Sequence, residues 1–128
     1  MKHVLIMEDN MQLAFDWRDA FELNGHQVTV CHNAEDATAH LEQTKFDLVV
    51  TDMFVKKGKG GLHVIAKLTS MYEGAPPTIA VTGARSSDGD KKNKNLFLEQ
   101  AMNLGVCATI EKPFPADKLI KEANSLWS

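Results

Sequence analysis

The sequence predicts a single α/β domain, a doubly wound three-layer sandwich in which a five-stranded parallel sheet lies between five helices. Three observations predict it. Short continuous apolar runs, the pattern of strands covered on both faces, alternate with segments whose apolar residues keep helical spacing. The two kinds of segment take turns along the whole chain, as parallel strands joined by crossover helices require. No repeat and no linker divides the 128 residues, a length usual for one domain.

The first strand is "HVLIM". Leu13, Ala14, Trp17, Ala20 and Phe21 then recur at helical spacing until Gly25, which stops the helix. "QVTVC" is the second strand, and Asn33 caps a helix carrying Ala34, Ala37 and Leu41. In "FDLVVTD" the run Leu48, Val49, Val50 marks the third strand. "MFVKKGKGG" is a loop whose Gly58, Gly60 and Gly61 read as a flexible turn, since G-x-x-x-x-G-K-[ST] is absent. Leu62, Ile65, Ala66 and Thr69 begin a third helix, and Pro76 and Pro77 introduce the fourth strand, "TIAVTG". The polar stretch "ARSSDGDKKNKN" leads to a fourth helix with Phe97, Leu98, Ala101 and Leu104. A fifth strand, "VCATIE", precedes a last helix with Leu119, Ile120, Ala123, Leu126 and Trp127. Trp17 and Trp127 fall in helix stripes and are expected to pack in the core or at its edge.

Composition narrows the function. Hydrophobic residues make up 44% and charged residues 24%, as in an ordinary soluble globule. A net charge of -3 gives no reason to expect nucleic acid or an anionic membrane as partner. No apolar run approaches a membrane span, and no signal peptide precedes the first strand. Cys31 and Cys107 form no C-x-x-C and suit a reducing cytosol, both as small buried apolar groups, so a cytoplasmic location is expected. The histidines His3, His26, His32, His40 and His63 show no zinc-ligand spacing.

The chemistry lies at the strand ends. Glu8 and Asp9 close the first strand, Asp52 the third and Thr82 the fourth, and Lys112 follows the fifth. In a parallel sheet these ends share one edge, where the crevice of such folds lies. A single carboxylate there is ordinarily a helix N-cap or a solvated loop residue, and Asp9 or Asn10 suits the cap of the first helix. The convergence of five polar residues is harder to explain that way. Adjacent carboxylates repel each other, and a hard divalent cation offsets that repulsion. Mg²⁺ takes a few carboxylate oxygens and keeps several waters. Glu8, Asp9 and Asp52 could hold one such ion and still present a carboxylate as nucleophile.

With "MEDN" after strand one, "VVTDM" after strand three, "AVTGA" after strand four and "EKPF" after strand five, the chain resembles a response-regulator receiver domain over essentially its whole length. A single receiver domain over residues 1–128 is expected, with no output domain after the last helix, and the resemblance implies the flavodoxin-like strand order 2-1-3-4-5. It implies a phospho-acceptor role for Asp52, with Mg²⁺ held by Glu8, Asp9, Asp52 and the backbone carbonyl of Phe54. Lys112 would pair with the phosphoryl oxygens, Thr82 would hydrogen-bond them, and Lys112–Pro113 would be a cis peptide. The physical logic agrees. Phosphoryl transfer needs positioning and neutralisation of charge on the equatorial oxygens, which a metal and a lysine supply. The implied partners are a histidine kinase or histidine phosphotransfer protein upstream and an effector protein downstream.

Some features depart from the family's usual pattern. The position three before the lysine, often an aromatic switch residue, is Thr109. The loop after Asp52 lacks the common Met-Pro, and the segment between Thr82 and Lys112 is longer than usual, with Lys91, Lys92 and Lys94 expected on a solvated face. The resemblance implies that Phe54 and Ala84 stand beside the path of a hydrolytic water, and as neither can orient one, slow autodephosphorylation is expected. Other functions fit less well. A Mg²⁺-dependent phosphohydrolase of the aspartyl-phosphate type would need a general acid where Phe54 stands. A flavin binder would want a phosphate loop where "MEDNMQ" places two negative charges. A pseudo-receiver that is never phosphorylated would not need the intact acid set.

Overall fold

In the computed structural model, residues 1–53, 61–71, 75–83 and 106–128 are described. The expected fourth helix, the turn at Gly58 and Gly60, the Phe54 carbonyl and the polar stretch from Ala84 lie outside the described residues.

Five strands, β1 (His3–Met7), β2 (Gln27–Cys31), β3 (Leu48–Asp52), β4 (Thr78–Thr82) and β5 (Ala108–Glu111), pair in parallel in the order β2-β1-β3-β4-β5. Among the described residues there are also four helices, α1 (Met11–Leu23), α2 (Ala34–Gln43), α3 (Gly61–Thr69) and α4 (Ala116–Trp127). The expected fold class and strand order are those observed. Every residue of β3 and β4 is buried, whereas the edge strands β2 and β5 are only partly covered. That contrast explains why the interior strands read as unbroken apolar runs.

Alternate residues of each strand point to opposite faces, and the core divides accordingly. Val4, Ile6, Val50, Ile79 and Val81 pack on one face against Ala14, Trp17 and Phe21 of α1 and Leu119 and Ala123 of α4. Leu5, Met7 and Val49 pack on the other against Ala34, Ala37 and Leu41 of α2 and Val64 and Leu68 of α3. These are the three layers.

Local chemistry sets the helix ends. Asn10, not Asp9, caps α1, its side chain accepting the Leu13 N–H at 3.2 Å. Asn33 caps α2 by accepting the Asp36 N–H at 2.8 Å. After α1 the chain reverses through Gly25 at φ 85°, while the His26 N–H donates back to the Phe21 carbonyl at 3.1 Å.

One expectation needs correction. Cys31 is buried, and burial pushes its thiol up to about 12, but Cys107 is exposed. Cys107 stands just before an edge strand whose alternate residues, Thr109 and Glu111, also face solvent, so it lacks the cover the sequence reading assigned to it. Among the described residues, no helix is long and apolar enough to cross a membrane.

The turn at Gly25 yields a test of backbone strain alone. A Cβ added there would meet nothing within 4 Å, so any cost of Gly25→Ala comes from the positive φ. Urea unfolding is expected to show a loss of about 1–2 kcal/mol. Unchanged stability would mean that the turn relaxes to another conformation.

Candidate functional site

The sheet ladder continues one step past the strand ends and aligns the site. The Glu8 N–H donates to the Cys31 carbonyl at 3.1 Å, Met53 N–H to the Val81 carbonyl at 2.8 Å, and Lys112 N–H to the Thr82 carbonyl at 2.7 Å. Residues from the ends of β1, β3 and β5 are thereby fixed on one edge.

Glu8 is fully buried, Asp52 is 3% exposed and Thr82 is 1% exposed. Carboxylate oxygens of Glu8, Asp9 and Asp52 lie within 4.8 Å of one another. The Lys112 ammonium pairs with Glu8 Oε1 and reaches Asp52 Oδ2 at 3.5 Å. Glu8 Oε2 accepts the Asn10 N–H at 3.0 Å. Asn10 therefore serves twice, capping α1 with its side chain and holding Glu8 with its backbone.

Burial pushes the Glu8 carboxyl up to about 7, and the Asp52 charge adds to the rise. The hydrogen bonds from Lys112 and Asn10 oppose it. Through this range the folded protein binds more protons than the unfolded chain. The metal-free fold accordingly loses the contribution of protonated Glu8 as pH rises from about 4.5 toward about 7. Among the described residues three carboxylates gather round the Lys112 ammonium, and a divalent cation would offset their mutual repulsion. An all-oxygen donor set of this size suits a hard ion such as Mg²⁺.

Of the residues singled out in the sequence, Glu8, Asp9, Asp52 and Lys112 come together here. Thr82 closes β4, one residue past the Val81 that pairs with Asp52. The Lys112–Pro113 peptide is cis. Thr109 is exposed on β5, opposite Ala80. Phe54 and Ala84 lie outside the described residues.

Two neighbours of the site escape a reading of the sequence. His32 Nδ1 lies 2.9 Å from the Glu8 carbonyl oxygen, and since a carbonyl only accepts, Nδ1 carries the proton. Trp17 lies beneath Lys112, its ring centroid 5.7 Å from Nζ. Nothing in the spacing of a helix stripe signals that its tryptophan will meet a lysine from the far end of the chain.

Known proteins share this chain's sequence pattern and fold. The family model described as the response regulator receiver domain matches residues 4–124. A response regulator receiver protein of Anaeromyxobacter sp. (strain Fw109-5) is 26% identical over 94% of this chain and 46% of its own length. The transcriptional regulatory protein CpxR of Escherichia coli (strain K12) is 28% identical over 98% of this chain and 49% of its own. The chain thus spans about half the length of the curated relatives it matches. Among solved structures, the Francisella response regulator 1452 receiver domain superposes with a TM-score of 0.76 at 24% identity, covering 99% of this chain and 97% of that one. The receiver domain of NtrX from Brucella abortus gives 0.81 at 21% identity, with 96% of each chain covered. Motifs, strand order, acidic pocket and family match converge, and the chain belongs to the response regulator receiver domains of two-component signalling.

Proposed function

We propose that Asp52 accepts a phosphoryl group from a phosphohistidine on a histidine kinase or histidine phosphotransfer protein. The observation that carries this reading is the position of the Lys112 ammonium, paired with Glu8 and 3.5 Å from Asp52 within a cluster of three carboxylates. In the transfer, an Asp52 carboxylate oxygen bonds to phosphorus as the P–N bond to the donor imidazole breaks, and the imidazole regains neutrality by taking a proton. The product is an acyl phosphate. Such a reaction needs alignment and charge neutralisation more than acid–base chemistry. Lys112 is already drawn toward the Asp52 carboxylate, and its flexible stem lets the ammonium follow a new oxyanion. Thr82, at the end of the neighbouring strand, offers a hydroxyl to the same oxygens. Mg²⁺, held by Glu8, Asp9, Asp52 and the Phe54 carbonyl, would supply the second counter-charge.

The domain's catalysis is confined to its own phosphorylation and dephosphorylation, and its output is a partner-binding surface that the phosphoryl group switches. Its partners are proteins, the phosphodonor and an effector, in the cytoplasm. A net charge of -3 gives the domain itself no electrostatic hold on nucleic acid.

Asp52→Asn keeps the shape and removes the nucleophile. Incubation with acetyl phosphate and Mg²⁺ is expected to give wild-type protein a base-labile mass gain and this variant none. Full labelling of Asp52→Asn would place the acceptor elsewhere.

Mg²⁺ should stabilise the fold by mass action. At about ten times its Kd the gain is about 1.4 kcal/mol, a melting shift of about 5 °C. The comparison is a thermal melt with Mg²⁺ against one with EDTA, at matched ionic strength. Coincident curves would count against a preformed site, and the shift should vanish in Asp9→Asn.

The phosphoryl group should persist, because neither Phe54 nor Ala84 has a side-chain atom that can orient a water. Phe54→Asn is expected to speed decay about ten- to a hundredfold. Wild-type decay within seconds, with the variant no faster, would remove Phe54 from that role.

A further inference from the structure

The Lys112 ammonium meets more than carboxylates. Besides pairing with Glu8 and approaching Asp52, it lies 5.7 Å from the centroid of the Trp17 indole, within cation–π range. Trp17 is 2% exposed, and the Lys112 side chain is 19% exposed, so water competes little for the cation. The ring is itself braced. Trp17 stacks on Phe114, with centroids 5.5 Å apart and planes 19° from parallel. Phe114 stands two residues after Lys112, beyond the cis peptide, so the segment that carries the ammonium also grips the ring beneath it.

We propose that Trp17 is a positioning residue for Lys112, its indole face holding the ammonium over the acidic site. The proposal rests on the phosphoryl-neutralising role given to Lys112 above. A lysine ends a long, freely rotating stem, and a carboxylate pair attracts it without choosing among its rotamers. The aromatic face adds a third, directional contact from the α1 side. It does so without adding a charge that would follow the ammonium into the site or compete with the phosphoryl group. A leucine at position 17 would fill much of the same volume but offer no such contact. Of the aromatic side chains, indole attracts cations most strongly.

Labelling rates with acetyl phosphate and Mg²⁺ test the proposal, measured where circular dichroism shows each variant folded. Trp17→Leu is expected to label about three- to tenfold more slowly than wild type, and Trp17→Phe, which keeps an aromatic face, within about twofold of it. Lys112→Met should be slower than either. A second measurement avoids both metal and phosphodonor. In a Trp127→Phe background Trp17 is the sole tryptophan of the two in the chain, and Lys112→Met is expected to shift its emission. Wild-type labelling by Trp17→Leu, or an emission spectrum unmoved by Lys112→Met, overturns the positioning role while leaving the role of Lys112 intact. Wild-type labelling by Lys112→Met overturns that role and this inference together.

Discussion

An ammonium shared between two buried carboxylates sets the terms for the rest of this structure. Glu8 and Asp52 have almost no contact with solvent, and a carboxylate removed from water without a counter-charge is strongly destabilising. Lys112 supplies that charge from the opposite end of the chain. The contact joins the ends of β1, β3 and β5 at one place. Asp9 brings a third carboxylate to the same cluster, so among the described residues acids outnumber the lysine. A plain structural ion pair needs one acid and one base, whereas this cluster gathers three acids, a donor set suited to a hard cation.

The architecture around the cluster follows from that demand. Interior strands covered on both faces give a rigid floor, and ladder bonds one step past the strand ends extend the rigidity to Glu8, Met53 and, through the Thr82 carbonyl, Lys112. The two helical layers contribute differently. α2 and α3 close the face that holds Leu5 and Val49, remote in character from the chemistry. α1 enters the site twice, through the Asn10 backbone on Glu8 and through the Trp17 ring near Lys112. The layer of α1 and α4 is thus mechanically tied to the charge it covers.

Much of this was legible before any coordinates. Runs such as Leu48, Val49, Val50 read as strands, and alternation with helical stripes implied parallel pairing. Once the pairing was parallel, strand-end acids and the lysine had to share an edge. The choice of helix cap was less certain, because Asp9 and Asn10 have similar capping preference. Asn10 takes the cap, and Asp9 joins the acids. Contacts between distant segments left no local trace. A buried tryptophan in a helix stripe looks the same whether it faces a leucine or an ammonium, and His32 reads as an ordinary residue after a strand until its ring is found on the Glu8 carbonyl. For Cys107, hydrophobicity predicts burial on average, while the position of β5 at the sheet's edge decides its exposure.

The unequal cysteines have a practical consequence. Thiol reagents attack the thiolate, and Cys31, buried with its Sγ–H donating to the Ile6 carbonyl at 3.4 Å, has little of it at neutral pH. Cys107 is open to solvent two residues before Thr109, on the same outward side of the edge strand. A maleimide dye or spin label added to the unaltered chain would therefore settle at one address, without any cysteine having to be engineered in or out. That address lies just before the strand leading directly to Lys112, so the native protein already carries an attachment point for following what its own site does.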